Sequence, residues 1–322
     1  MKKIIDPFIL ALMAMIALGW LMPEPALYNG WFSLEKITQI GIALIFFFYG
    51  LKLSPREMRQ GMNNIKLHLL VQITTFALFP LLILAFYPLL TSDESRLIWL
   101  AIFFLAALPS TVSSSVVMVV MAKGNVPGAI FNASLSGLIG ILITPLWIGL
   151  FINTTNASFE LSGILISLFL KILLPVIIGL FLHRFWGKFV KKHSKKLALF
   201  DKSIILLIVY KSFAKSFNSN LFESIPWINL LIILVSVLAL FSLVYALVSQ
   251  LSKWLNLGRN DRITALFCGS KKSLVHGSVM SSVLFKGMAA QGLMLLPIML
   301  YHAIQLVIIS FIAQKMGKTA EK

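Results

Sequence analysis

The residues best placed to do chemistry form two short polar runs in an otherwise apolar chain. The first is Leu108-Pro109-Ser110-Thr111-Val112-Ser113-Ser114-Ser115. The second is Phe267-Cys268-Gly269-Ser270-Lys271-Lys272-Ser273, followed by His276, Gly277 and Ser278. Lysine at the centre of a membrane helix costs about 2.5–3.5 kcal/mol on insertion scales, so an intramembrane lysine pair implies function. Two adjacent ammoniums there would repel; pointing in different directions, one lines the cavity while the other meets freed backbone carbonyls or loses its proton. A hard cation instead prefers oxygen ligands, with a carboxylate to offset its charge, and all 11 acids fall outside the apolar segments or, for Glu35 and Asp201, at their very ends. A cation site would have only hydroxyls, amides and carbonyls. The alternative for Lys271 and Lys272 is that both simply neutralise the C-terminal dipole of the half-helix before them. Helical spacing puts His276 one turn beyond Lys272, on its face. No metal-ligand spacing, nucleophile elbow or phosphate loop accompanies these residues, which gives no support to enzymatic chemistry, a metal or a cofactor.

The elements that must position these runs follow from composition. Of 322 residues 59% are hydrophobic and 12% charged, with 28 Lys+Arg, 11 Asp+Glu and a formal net charge of +17. A soluble domain carries about 25% charged residues. Soluble enzymes and cytosolic binding modules are excluded, and the basic excess reads as loop charge rather than a nucleic-acid surface. Apolar segments fall near 7–22, 34–51, 67–90, 95–122, 127–151, 161–183, 200–217, 226–250, 262–285 and 291–314, each read as a membrane-crossing helix. The single cysteine, Cys268, excludes an intramolecular disulfide.

Ten segments divide into five plus five. An odd number per half inverts the second half in the bilayer, an architecture of secondary transporters whose sites lie where discontinuous helices meet. The halves are 1–160 and 161–322. Segments 4 and 9, which hold the two polar runs, are the interrupted pair, about half the chain apart. Proline removes a backbone donor there and hydroxyls satisfy the freed groups; Ser/Thr clusters also serve simply to pack helices. With the N-terminus inside, 20 of the 28 cations fall on inner segments: Lys2, Lys3, Lys52, Arg56, Arg59, Lys66, Lys123, seven from Arg184 to Lys202, Lys253, Arg259, Arg262, Lys315, Lys318 and Lys322. Only Lys36, Arg96, Lys211, Lys215 and Lys286 lie outside. The positive-inside rule then puts both termini in the cytoplasm. Lys171, mid-segment, is a second candidate for the interior, and the depth of Lys211 is left open. His68 lies at an inner boundary, and His302 has no partner in sequence.

Across nearly its whole length the chain resembles the bile acid:sodium symporter family, specifically its SBF-like branch. The resemblance is carried by Thr75-Phe76-Ala77-Leu78-Phe79-Pro80, Leu108 to Ser115, Gly124-Asn125 with Ile130-Phe131-Asn132-Ala133, Thr144-Pro145-Leu146, and Cys268 to Ser273. It implies an all-α fold of ten transmembrane helices in panel and core domains, with helices 4 and 9 unwound and crossing at the substrate and ion sites. It also implies departures. Sodium-coupled members have Ser-Asn where this chain has Ser114 and Ser115, and glutamine where it has Thr75. Their fifth-span hydroxyls fall on Ala129 and Ala133. Their ninth-span glutamate and Gln-Asn fall near Phe267 or Cys268 and on Lys271 and Lys272. Fold and transport mode carry over; sodium coupling and bile acid do not.

The sequence therefore leads us to expect a secondary transporter of a small organic anion, working by alternating access in the plasma (inner) membrane. It is sodium-independent or proton-coupled, with a ninth-span lysine in place of sodium. The expected binding residues are Thr75, Pro109, Ser110, Thr111, Ser113, Ser114, Ser115, Asn132, Gly269, Ser270, Lys271, Lys272, Ser273 and His276, with the lipid bilayer as partner and protons as a candidate coupling ion. The competing class is a non-transporting membrane regulator or receptor, for example of calcium homeostasis, that retains the transporter fold.

Overall fold

The computed structural model describes residues 7–30, 32–152, 161–223 and 225–319. Lys2, Lys3, Asp6, Glu160, Glu321, Lys322 and the side chain of Ser113 lie outside the described residues. In chain order the helices are α1 (Pro7–Leu21), α2 (Glu24–Leu27), α3 (Leu34–Lys52), α4 (Pro55–Gly61), α5 (Ile65–Ile73), α6 (Phe79–Leu84), α7 (Asp93–Ala107), α8 (Ser113–Met121), α9 (Val126–Ile152), α10 (Leu161–Leu168), α11 (Leu174–Lys192), α12 (Ser194–Asn218), α13 (Trp227–Trp254), α14 (Arg259–Gly269), α15 (Leu274–Leu284) and α16 (Gln291–Thr319). No strand occurs among the described residues. π-helical turns at Thr74–Leu78 and Phe169–Leu173 join α5 to α6 and α10 to α11.

Local sequence accounts for the helix ends. Ser33 caps α3 by accepting from the Lys36 amide, Asn64 caps α5 by accepting from the Leu67 amide, and Ser92 with Ser95 forms a reciprocal capping box on α7. Six helical stretches are long and apolar enough to cross a bilayer: 34–52, 65–89, 126–152, 166–192, 227–254 and 291–318. The remaining sequence segments differ for visible reasons. α1 has only 15 residues. α12 carries Lys195, Lys196, Asp201, Lys202, Lys211 and Lys215. Segments 4 and 9 are split, since α7 stops at Ala107 with α8 starting at Ser113, and α14 stops at Gly269 with α15 starting at Leu274. Large apolar side chains stay exposed, among them Phe181 at 77% and Trp227 at 74%, as lipid-facing surfaces require.

The chain forms two compact units. The first comprises residues 1–54, 152–226 and 277–295. Its tightest contact is between α3 and α11, where a Cβ on Gly50 would come 2.2 Å from the Val176 carbonyl oxygen and one on Gly179 2.2 Å from that of Phe47. Only glycine lets these backbones approach so closely. Asp201 pairs with Lys52 at 3.1 Å, and His183 Nδ1 lies 2.7 Å from the Leu51 carbonyl oxygen.

The second unit comprises residues 55–151, 227–276 and 296–322, and contains both breaks. Asp261, in the first turn of α14, accepts from the carboxamides of Asn64 and Asn125 at 2.7 Å each, tying the starts of α5, α9 and α14 together. α9 runs past the first break so closely that a Cβ on Gly140 would sit 2.6 Å from Pro109. The π-turn at Thr74–Leu78 follows from Pro80, which has no N–H for the Phe76 carbonyl; Trp147 Nε1 donates to that oxygen instead, at 2.9 Å. Within the same turn the Phe79 amide reaches back to Thr74, which frees the Thr75 carbonyl.

Candidate functional site

Helix ends leave their last carbonyls without partners, and the two breaks settle this account for each other. At the end of α14, Ser115 Oγ donates to the Phe267 carbonyl at 3.1 Å and Ser110 Oγ to that of Cys268 at 2.6 Å. Tyr301 donates its phenol to the Ser270 carbonyl at 2.6 Å. At the end of α7 the donor is Lys272. Its ammonium lies 2.6 Å from the Ala106 carbonyl oxygen, 2.7 Å from that of Leu108 and 2.9 Å from the freed one of Thr75. The Phe79 ring closes the remaining side, its centroid 4.0 Å from Nζ. Thr144 Oγ1 takes the Ala107 carbonyl between them, at 2.7 Å. The Ser273 amide donates to the Pro109 carbonyl at 2.9 Å, which joins the two unwound strands directly.

Lys272 is itself held at the backbone. Gln305 accepts from its amide and donates to its carbonyl, both at 3.0 Å. The ammonium therefore caps α7, the helix of the other break, rather than its own α14, which corrects the simple dipole alternative. Lys271 differs. Its Nζ donates to Ser114 Oγ at 2.7 Å, and Ser114 reaches Thr111 Oγ1 at 3.3 Å. An ammonium has three protons, and Ser114 is the only hydrogen-bond acceptor for Lys271 among the described residues. Both lysines are fully buried. One ammonium is saturated by carbonyls and the other is tethered by a single hydroxyl.

The remaining expected residues divide. Thr75 contributes its carbonyl, since its hydroxyl is spent on Val71 at 2.8 Å. The Ser110 amide is held by Ser136 at 2.9 Å, and Ser270 Oγ folds back on Leu266 at 2.6 Å. His276 does not sit one helical turn from Lys272, because α15 begins only at Leu274; its Nδ1 lies 3.0 Å from Ser273 Oγ. A Cβ on Gly269 would meet Val248 at 3.5 Å, an ordinary contact. Asn132 belongs to another network, with His68 Nδ1 at 2.9 Å and Gln72 Nε2 at 3.3 Å. Gln305, Tyr301 and Ser136 were not anticipated, and Thr144 was singled out only within Thr144-Pro145-Leu146, not as a site residue. Gln305 had a signal, an isolated amide in an apolar segment; Tyr301 had none.

A profile of the SBF-like CPA transporter family matches residues 6–318. The chain belongs to this family. It is 38% identical to the uncharacterised protein PA2026 of Pseudomonas aeruginosa, over 97% of this chain and 93% of that one. It is 34% identical to YfeH of Escherichia coli, named as a candidate symporter, over 99% and 95%. It is 31% identical to the sodium/bile acid cotransporter 7 of Rattus norvegicus, over 91% and 87%. As an SBF-like protein with six long apolar helices it is an integral membrane protein of a transporter family, not an enzyme. Among the described residues no three His, Cys, Asp or Glu side chains are grouped to hold a metal.

Proposed function

We propose that this chain is a secondary transporter of small organic anions, in which Lys271 receives the anionic group and Lys272 stands where a mobile cation would otherwise join the two unwound strands. The observation that carries this reading is the unequal environment of the two ammoniums. Lys272 has its charge matched by three carbonyls and a ring, as a coordinated cation would, and has nothing left for a substrate. Lys271 has donors to give.

The relatives' names speak of sodium and bile acid for those proteins. For this chain we propose sodium-independent transport, uncoupled or coupled to protons, because a covalently tethered cation makes a dissociable one unnecessary. We further propose two inverted halves, 1–160 and 161–322, in a plasma membrane with both termini cytoplasmic. In support, each compact unit collects parts of both halves: 1–54 with 152–226 and 277–295, and 55–151 with 227–276 and 296–322.

The test is a thermal-shift screen of purified protein against organic anions, with sodium present or replaced by choline, followed by flux of each hit into proteoliposomes. The expected result is stabilisation and flux that do not depend on sodium and are lost in Lys271→Met. Full flux in both Lys271→Met and Lys272→Met would overturn the proposal, as would strict dependence on a sodium gradient. Binding without flux under any gradient would support the regulator reading instead.

A further inference from the structure

The first unit carries a second concentration of positive charge that the paired breaks do not use. Glu35, in the first turn of α3, accepts from Lys211 on α12 through Oε2, while Oε1 faces Lys286 at 3.6 Å and takes the Gln39 amide. Lys286 lies between α15 and α16, just before Gly287, whose φ of +87° turns the chain there. Lys286 is also within Coulomb range of Lys171 and Lys211, and Lys211 of Lys215. Lys171 sits in the π-turn Phe169–Leu173, which packs on α3. Lys211 and Lys286 thus share one carboxylate, with Lys171 acting on Lys286 and Lys215 on Lys211, so that four lysines come from three separate chain segments. Neither Lys171 nor Lys215 has a carboxylate partner among the described residues.

Two features accompany this concentration of charge. Outer segments are normally depleted of Lys and Arg, yet three of the chain's five outer cations meet here and a fourth joins them from mid-segment. The same unit also has two buried serine hydroxyls without a hydrogen-bond partner: Ser212, adjacent to Lys211, and Ser281, five residues before Lys286. They lie on either side of the start of α16, where Gln291 reaches the Ser281 carbonyl at 3.4 Å and the Gly292 amide donates to Ser216 Oγ at 2.9 Å. Buried donors left unmade are costly and call for an acceptor.

We infer that Lys171, Lys211, Lys215 and Lys286 form an outer capture site for a small polyanion, a di- or tricarboxylate or a phosphate. Glu35 is a tethered stand-in for the ligand's carboxylate. It holds Lys211 and Lys286 together while the site is empty, and an arriving anion with at least two charges displaces it. A monoanion gains too little, since it exchanges one carboxylate for another. The inference rests on the reading of the chain as an anion transporter, and it assigns the substrate class and the side from which the anion is gathered.

The test is calorimetric titration of the purified full chain with citrate, against acetate, at fixed ionic strength. Citrate should bind and acetate should not. Lys211→Gln and Lys286→Gln should each weaken citrate binding about tenfold, Lys211→Arg should retain it, and Glu35→Gln should tighten it about fivefold by removing the internal competitor. Citrate affinity unchanged in both lysine-to-glutamine variants would overturn the inference, as would a Glu35→Gln variant that binds no more tightly. Unfolding temperatures of all variants, with Lys211→Arg as the folded, charge-preserving control, separate lost binding from lost fold. Flux into proteoliposomes separates the two proposals: transport that survives while citrate binding ignores the lysines removes only the capture site, whereas lysine-dependent citrate binding without flux of any anion removes only the transporter reading.

Discussion

Adjacent in sequence and identical in type, Lys271 and Lys272 are expected to respond very differently to the same substitution. Lys272→Met removes the partner of three buried carbonyls, two of them at the end of α7. A buried carbonyl left without a donor costs about 1–3 kcal/mol, and three are left at once, so this variant should unfold at a much lower temperature or fail to accumulate. Lys271→Met loses one charge-assisted hydrogen bond to a hydroxyl, worth about 1.5–3 kcal/mol, so it should lose much less stability than Lys272→Met and yet bind no anion. Thermal unfolding of the two purified variants checks the contrast; equal losses would mean that the ammoniums share one role. That a lysine pair in an apolar segment mattered was legible from its charge and depth alone. Its division of labour was not. That depends on the Thr75 carbonyl being left free by a π-turn, and on Gln305, some thirty residues on, gripping one peptide unit. Neither relation leaves a pattern in the sequence near the lysines.

At the scale of elements, proline and glycine decide where helices stop and how near they come. Pro80 creates the π-turn that supplies one of the three oxygens around Lys272. Pro80→Ala restores an N–H for the Phe76 carbonyl and lets α5 and α6 close into a regular helix, which withdraws the Thr75 carbonyl. Flux of the identified anion is expected to fall about tenfold, the effect of about 1.4 kcal/mol, while the protein stays folded; unchanged flux would show that two carbonyls are enough. In the first unit Gly179→Leu drives a side chain into the Phe47 carbonyl, where a Cβ alone would come to 2.2 Å. Overpacking costs about 1–3 kcal/mol even in yielding cores, and backbone cannot yield as a side chain does. A clear loss of thermal stability is expected, whereas Gly258→Ala, with nothing within 4 Å of the added methyl, should be silent. The interruptions of segments 4 and 9 could be read from Pro109 and the polar runs. The reciprocal capping across them could not, because it joins Ser110 to Cys268 and Lys272 to Ala106, pairs more than 150 residues apart in sequence.

For the whole molecule, the governing quantity is the asymmetry of charge along an apolar chain. Residues Arg184 to Lys202 hold seven of the 28 Lys and Arg, and the basic residues near the chain ends lie on the same proposed side. Cations near segment ends resist translocation, whereas acids contribute little. The bias of 20 inner against 5 outer cations therefore predicts that a fluorescent protein fused after Lys322 will light up in the cytoplasm and that alkaline phosphatase fused there will stay inactive. The opposite pattern would place Glu35 and its lysines on the inner face, turning the proposed capture site into a release site. The orientation should also be robust. Because the inner cations are spread over several connections, converting Lys191, Lys192, Lys195 and Lys196 to glutamine leaves 16 against 5 and is expected to leave the C-terminal reporter where it was. If those four substitutions alone inverted the reporter, the charge of one connection rather than the whole-chain bias would be setting the topology.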